Sequence, residues 1–202
     1  MRRVEIVATG VGNTASVRAG FARLGCETEV VTSPERIREA RLLVLPGVGA
    51  FAAAMSRLGE SEWVAPLQAR VTERRPTLAV CLGMQLLGSG SGEAEDCPGL
   101  ECVTNRAERF PPEVRVPHMG WSTVTASAGC ELLEDGAAYF AHSYLWRARP
   151  EGWRAAVSRH GEEFLAAAES GPVLACQFHP ELSGAYGEAL LRRWLAKGEK
   201  SW

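Results

Sequence analysis

Leu78-Ala79-Val80-Cys81-Leu82-Gly83-Met84-Gln85-Leu86-Leu87 is an apolar run that reaches a cysteine and turns, through one glycine, into a short helical pattern. The form is that of a nucleophile elbow, a strand-to-helix corner whose apex residue sits in strained backbone and whose neighbours two positions away must be small. Ala79 and Gly83 meet that requirement. A thiol at a helix N-terminus faces unpaired N–H groups and the positive end of the peptide dipoles, both of which favour thiolate. Cys81 is therefore the candidate nucleophile, set against the plainer reading of a small buried hydrophobe at a strand end.

A strand that delivers such an elbow is covered on both faces, and the segments upstream supply its neighbours. Val4 to Ala8, Glu29 to Thr32 and Leu42 to Leu45 are, like Leu78 to Leu82, short runs rich in Val, Ile and Leu. Between the first two, Val17, Phe21 and Leu24 recur at helical spacing and stop at Gly25. Ser33-Pro34-Glu35 reads as a cap, a first-turn proline and a dipole-matched acid, opening a helix to Ala40. Alternation of this kind implies parallel strands with crossover helices. Beyond the elbow, Ser89 to Gly99 (SGSGEAEDCPG) lacks periodicity and reads as a surface loop. Glu101 to Arg109, Trp121 to Ala126, Tyr139 to Trp146, Trp153 to His160, Glu163 to Ala168 and Val173 to Phe178 then read as closely spaced antiparallel strands. A last helix aligns Tyr186, Leu190, Leu191, Trp194 and Leu195 on one face. The expected fold is three-layer α/β in one domain over residues 1–202: a central, mostly parallel (mixed) sheet flanked by helices, with antiparallel strands in the C-terminal half.

Composition excludes several classes of function. Twenty-two Lys and Arg against 24 Asp and Glu leave a net charge of −2, with no surplus to neutralise nucleic-acid phosphates. The longest apolar stretch, Leu42 to Met55, is broken by Pro46, Gly47 and Gly49 and falls short of the roughly 20 residues a bilayer span needs. The first ten residues lack the apolar core of a secretion signal. A cytoplasmic protein with neither a nucleic-acid nor a membrane partner is expected. The six cysteines include no CxxC pair, only Cys97 and Cys102 lie close together, and the histidines are far from finger spacing. Reduced thiols and no metal are expected.

A thiol nucleophile needs a base, and the base an orienting group. Of His118, His142, His160 and His179, the last follows the apolar run Val173 to Phe178 in His179-Pro180-Glu181. On extended backbone, residues two apart project to the same side, and Pro180 keeps its predecessor extended. Glu181 is thus placed to hold the imidazole. Donors for a tetrahedral oxyanion are offered by the turn Pro46-Gly47-Val48-Gly49, where glycines permit close backbone approach, and by the N–H of Leu82.

These motifs carry a family resemblance. CLGMQLL, PGVGAF, PHMGW (Pro117 to Trp121), FAHSY (Phe140 to Tyr144) and QFHPELSG stand in the order found in class I glutamine amidotransferases. PHMGW resembles the branch formed by the glutaminase subunits of imidazole glycerol phosphate synthases. The resemblance implies a triad of Cys81, His179 and Glu181, and an oxyanion hole from Gly47, Val48, Gly49 and Leu82. It implies glutamine contacts at Gly49, Gln85, Ser143 and Tyr144, and a partner surface that includes Asn13, Pro117, His118, Met119 and Trp121. The implied reaction is hydrolysis of L-glutamine to glutamate and ammonia through a cysteinyl thioester, with no metal or organic cofactor. Ammonia would pass to a (β/α)8 barrel cyclase subunit in a heterodimer of histidine biosynthesis. There a phosphoribosyl-formimino intermediate becomes imidazole glycerol phosphate and an aminoimidazole carboxamide ribonucleotide. Four places depart from the pattern: Ala8-Thr9 stands for Asp-Tyr, Ala79 for glycine, Ser122 for asparagine and Leu182 for a lysine that forms an ion pair with the partner.

Other readings stay open at this point. They are the amidotransferase component of another ammonia-using synthase, a cysteine hydrolase of a different type, and an interaction module in which Cys81 and His179 merely pack. Gly10-Val11-Gly12-Asn13-Thr14-Ala15 also satisfies the GxGxxG/A dinucleotide fingerprint of an oxidoreductase, with Glu29 about 20 residues further on. Glu29, however, falls inside the second strand pattern instead of at its end, and a dinucleotide leaves the cysteine elbow without a use.

Overall fold

The computed structural model describes residues 2–9 and 14–201. Most of the GxGxxG/A segment, and Asn13 with it, lies outside the described residues. The chain opens with β1 (Arg2–Val7), α1 (Thr14–Arg23), β2 (Cys26–Val31) and α2 (Pro34–Glu39). It continues through β3 (Leu43–Leu45), α3 (Phe51–Glu60), α4 (Val64–Thr72), β4 (Thr77–Val80) and α5 (Leu82–Leu86). Next come β5 (Gly90–Ser91), β6 (Ala94–Pro98), β7 (Arg106–Arg109), β8 (His118–Ala126), β9 (Gly136–His142) and β10 (Tyr144–Leu145). β11 (Arg154–His160), β12 (Glu162–Ser170) and β13 (Val173–Cys176) lead to a 3-10 turn at Pro180–Leu182 and to α6 (Gly184–Lys200).

Among the described residues, nine strands form one sheet in the order β2-β1-β3-β4-β13-β12-β11-β8-β9. The five strands from β2 to β13 pair in parallel. The remaining four continue the sheet antiparallel. Residues of the inner strands are divided between two cores by the strand period of two. Val44, Leu78, Val80 and Leu174 face one core with Phe21 of α1 and Trp194 of α6. Leu43, Leu45, Ala79, Val173 and Ala175 face the other with Phe51 of α3 and Leu67 of α4. This is the expected three-layer arrangement, and each fully buried Leu or Val contributes about 1.5–3 kcal/mol. The Ser33 hydroxyl accepts from the Arg36 N–H at 3.4 Å with Pro34 in the first turn, so α2 starts where its cap sequence places it.

Three expectations need correction. Ser89 to Gly99 is no plain loop: β5 and β6 pair there and join β7 and β10 in a second, four-stranded sheet. Backbone pairing and the Arg106 guanidinium, which donates to the Ser91 carbonyl at 2.9 Å, hold it without any alternation of side chains. The strand expected from Glu101 begins only at Arg106, because the preceding N–H groups serve the end of α5: Leu100 donates to the Leu86 carbonyl at 2.7 Å and Cys102 to Leu87 at 2.9 Å. β2 starts at Cys26, three residues before the apolar run, since an edge strand paired only with β1 tolerates polar residues.

Candidate active site

The site lies at the C-terminal ends of β3, β4 and β13, which are adjacent and in register, with Leu45 opposite Ala79 and Val80 opposite Cys176. Cys81 follows β4 at φ 54° and ψ −110°, a left-handed conformation costly for any residue with a Cβ. The corner is held from both sides. The Cys81 N–H donates to the Cys176 carbonyl at 2.7 Å, and its carbonyl accepts from Met84 at 3.1 Å. A Cβ on Gly83 would overlap the Leu45 carbonyl oxygen, so the requirement for a small residue there is set by the backbone of β3. Cys81 therefore sits at the entrance to α5, as the elbow reading expects.

His179 follows β13 on extended backbone, anchored by its N–H to the Tyr139 carbonyl at 2.9 Å and by the Ser183 hydroxyl on its own carbonyl at 2.6 Å. Glu181 reaches the ring differently from the expected extended alternation. Proline at the first helical position begins a 3-10 turn at Pro180, and the turn brings Glu181 Oε1 to 2.9 Å from His179 Nδ1. Nδ1–H donates to that carboxylate, and the Cys81 thiol is near enough to the ring to act on its charge. Burial disfavours the charged ring, but hydrogen bonding and Coulombic attraction from Cys81 and Glu181 outweigh it and raise His179 to about 10. Because the folded value lies above the ordinary 6.5, this stabilisation is complete below pH 6.5 and is lost as pH rises through about 10. Thermal melts of wild type and His179→Gln should differ most in mildly acidic buffer and converge above pH 10; a constant gap would contradict the assignment.

The oxyanion donors are not assembled. The Leu82 N–H donates to the Gly47 carbonyl at 3.2 Å, so the expected donor is engaged by the very turn expected to assist it. Rotation of the Gly47–Val48 peptide would withdraw that oxygen and present the Val48 N–H instead. Such close approach depends on glycine, since a Cβ at Gly47 would lie 2.9 Å from the Leu82 Cβ. Gly49, at φ 92°, completes a turn that few other residues could form.

A cavity of about 230 Å³ opens beside the sulfur, below the range of drug-sized sites. The expected Gly49, Gln85, Ser143 and Tyr144 all line it, together with Val48 and Leu82. Glu93 and His142 line it as well and were not foreseen. Glu93 Oε2 accepts from the Phe51 N–H at 2.9 Å, at the start of α3 where Ala50 has no capping side chain. Gln177, also unforeseen, is buried with Nε2 at 3.8 Å from the Cys81 sulfur, and its Oε1 accepts from Gln85 at 3.0 Å. A larger cavity of about 640 Å³ near the start of β1 is lined by Arg2, Arg3, Arg36 and Arg41 together with Glu5, Glu39 and Glu199, and no cysteine, serine or histidine lines it. Among the described residues no group of His, Cys, Asp and Glu is arranged to hold a metal ion.

Around the mouth, the expected partner residues separate. Pro117 is exposed and lines the cavity. Met119 and Trp121 are 66% and 58% exposed, joined by Val48 at 36% and Leu182 at 42%. His118 is 3% exposed and faces the core, so it does not belong to that surface. Strand alternation explains the split, because on β8 Met119 and Trp121 point outward while His118 points in. Among the described residues no helix is long and apolar enough to cross a membrane.

Comparison with known proteins gives the family of the chain. The profile of the family glutamine amidotransferase class-I matches residues 5–197. An imidazole glycerol phosphate synthase subunit HisH from Geobacter sulfurreducens is 39% identical, covering 96% of this chain and 98% of its own length. The protein of the same name from Methanothermobacter thermautotrophicus is also 39% identical, covering 95% and 97%. Among solved structures, a glutamine amidotransferase superposes with a TM-score of 0.78 at 22% identity, covering 97% of this chain and 98% of the other. A glutamine amidotransferase from Thermotoga maritima gives 0.62 at 14% identity, covering 99% and 83%. With a cysteine elbow, a carboxylate-held histidine and relatives of near full-length coverage, the chain belongs to the class I glutamine amidotransferases.

Proposed function

We propose that the chain, acting as one domain, is the glutaminase subunit of an imidazole glycerol phosphate synthase. The observation that carries the reading is the convergence of Cys81, His179 and Glu181 beside a cavity sized for one amino acid. The Cys81 thiolate attacks the side-chain amide carbon of L-glutamine, and the negative oxygen is received by the N–H groups of Leu82 and Val48 once the Gly47 carbonyl has turned away. The His179 imidazolium gives its proton to the departing nitrogen, which leaves as ammonia. Neutral His179 then takes a proton from water, the hydroxide adds to the thioester, and glutamate departs with thiolate and imidazolium restored. Glu181 orients the ring throughout. The steps consume one water and call for no cofactor.

Glu93 supplies the charge that the α-ammonium group of glutamine seeks. Glu93→Gln is expected to raise KM for glutamine about 10- to 100-fold, the worth of one charged hydrogen bond, with a smaller change in kcat. Steady-state kinetics showing an unchanged KM would remove Glu93 from substrate binding.

The names of the relatives and the exposed Met119, Trp121, Val48 and Leu182 support docking of a (β/α)8 barrel cyclase over the cavity mouth. With Leu182 in place of a lysine, the contact is apolar at that point. The engaged Leu82 N–H supports low activity in the lone chain, since an occupied oxyanion donor cannot serve the intermediate. Glutamate release by the chain alone should be slow and should rise strongly on adding the cyclase partner together with its nucleotide ligand. A high rate without the partner would refute the gating, and no rate with it would refute the assignment.

A further inference from the structure

Outside the triad, largely buried polar groups form two runs of hydrogen bonds that meet at the Tyr144 carbonyl. The Tyr144 carbonyl oxygen can only accept, so His142, 2.9 Å away through Nδ1, carries its proton on that nitrogen. His142 Nε2 is then bare and accepts from His118 Nδ1–H at 3.1 Å. This leaves His118 Nε2 bare, and the Ser122 hydroxyl donates to it at 2.9 Å. On its other side the Tyr144 carbonyl accepts from Gln85 Nε2 at 2.9 Å, and the second proton of that amide goes to Gln177 Oε1 at 3.0 Å. Gln177 Nε2 in turn donates towards the Cys81 sulfur at 3.8 Å.

The order requires both rings to be neutral, and their surroundings keep them so. Burial lowers His118 to about 4, with repulsion from His160 adding to it, and lowers His142 to about 3. His160 stacks on His118 with centroids 4.2 Å apart, its own Nε2 committed to the Arg115 carbonyl at 2.7 Å. Phe110, Phe140 and Phe164 pack around the rings. A neutral imidazole has one donor and one acceptor, so reversing either tautomer would strand a buried nitrogen against a group of like kind.

We propose that these two runs, extending from Ser122 beside the exposed Trp121 to the sulfur of Cys81, position the Ser143-Tyr144 segment and the thiol as one unit, with His118 and Gln177 as positioning residues. The inference rests on glutamine hydrolysis at Cys81 and extends it: neither residue touches the reacting atoms through a proton transfer, yet both set where those atoms stand. His118 acts on the substrate side, through His142 and the Tyr144 carbonyl. Gln177 acts on the sulfur side.

Long-range proton–nitrogen NMR of the full chain tests the core of the proposal without any activity. His118 and His142 should both show protonated Nδ1 and bare Nε2, and the opposite tautomer at either ring overturns it. Kinetics with the cyclase partner test the consequence. His118→Phe keeps a ring in the aromatic setting and removes the donor; it should raise KM for glutamine about tenfold, the worth of one hydrogen bond, with kcat within about twofold. His118→Asn, which retains a donor near Nδ1, should recover most of the loss. Asparagine as poor as phenylalanine would mean that packing alone matters and would overturn the proposal, as would a wild-type KM in both. Gln177→Leu should instead lower kcat and slow alkylation of Cys81 by iodoacetamide several-fold. Equal alkylation in variant and wild type removes Gln177 from the run that ends at the sulfur. A wild-type protein that shows the expected tautomers but hydrolyses no glutamine would sink the enzymatic reading alone.

Discussion

Cys81→Ala is expected to eliminate glutamine hydrolysis, with a loss of at least about 10⁴-fold in kcat, because a nucleophile has no substitute within its own site. The other elements of the cavity would survive. Alanine accepts the same φ of 54° at the same steric cost as cysteine, since both carry a Cβ and nothing bulkier on the backbone side. The Cys81 N–H bond to the Cys176 carbonyl uses only main-chain atoms and is retained. The melting temperature should thus stay within a few degrees of wild type, which separates chemistry from folding. Glutamate release in the presence of the cyclase partner is the measurement, and residual turnover near 1% of wild type would exclude Cys81 as the nucleophile. Alkylation offers a parallel readout in the wild-type chain. Burial raises the thiols of Cys26 and Cys176 and raises Cys102 to about 12, so these should react slowly beside a sulfur that faces a cavity and a cationic ring.

Gly83→Val should be the most damaging single change to stability at the site. Its Cβ would meet the Leu45 carbonyl oxygen and carbon, and also the Leu45 side chain. The obstacle is backbone. Leu45 is paired with Ala79 of β4, so β3 cannot retreat without breaking the ladder that also carries the elbow. Overpacking against an unyielding neighbour costs about 3 kcal/mol or more, roughly 10 °C in melting temperature for a chain of this length. Gly59→Ala is the matched control. It lies in α3 with nothing within 4 Å of its would-be Cβ, and alanine there should leave stability equal or slightly improved. A Gly83→Val protein that melts with wild type would show that the corner is less tightly built than its contacts imply.

Much of this arrangement is legible in the amino-acid order because the cues are local. Strands covered on both faces read as apolar runs, and a small residue on either side of Cys81 marks a tight corner before any neighbour is known. What escaped depends on partners distant along the chain. Glu93 sits in a polar, glycine-rich stretch, and its place beside the cavity follows from a second sheet whose strands pair through main-chain groups. Gln177 next to an apolar run looks like an ordinary strand end until Gln85 meets it. His118 shares the PHMGW motif with two exposed apolar residues, and alternation along β8 alone separates inward from outward positions. The engaged oxyanion donor is a matter of one peptide's orientation, which glycines leave undetermined.

The sulfur and its imidazole are borne by β4 and β13, which run side by side and in the same direction. Their separation starts from the repeat between neighbouring strands, about 4.8 Å in any sheet, and is completed by the short stretch from Cys176 to His179 that Tyr139 and Ser183 hold. Outer helices such as α2 and α4 can rock while the reacting pair keeps its spacing, because neither carries a residue that holds the sulfur or the ring. Such a foundation leaves the periphery free to vary from one lineage to another without disturbing the chemistry.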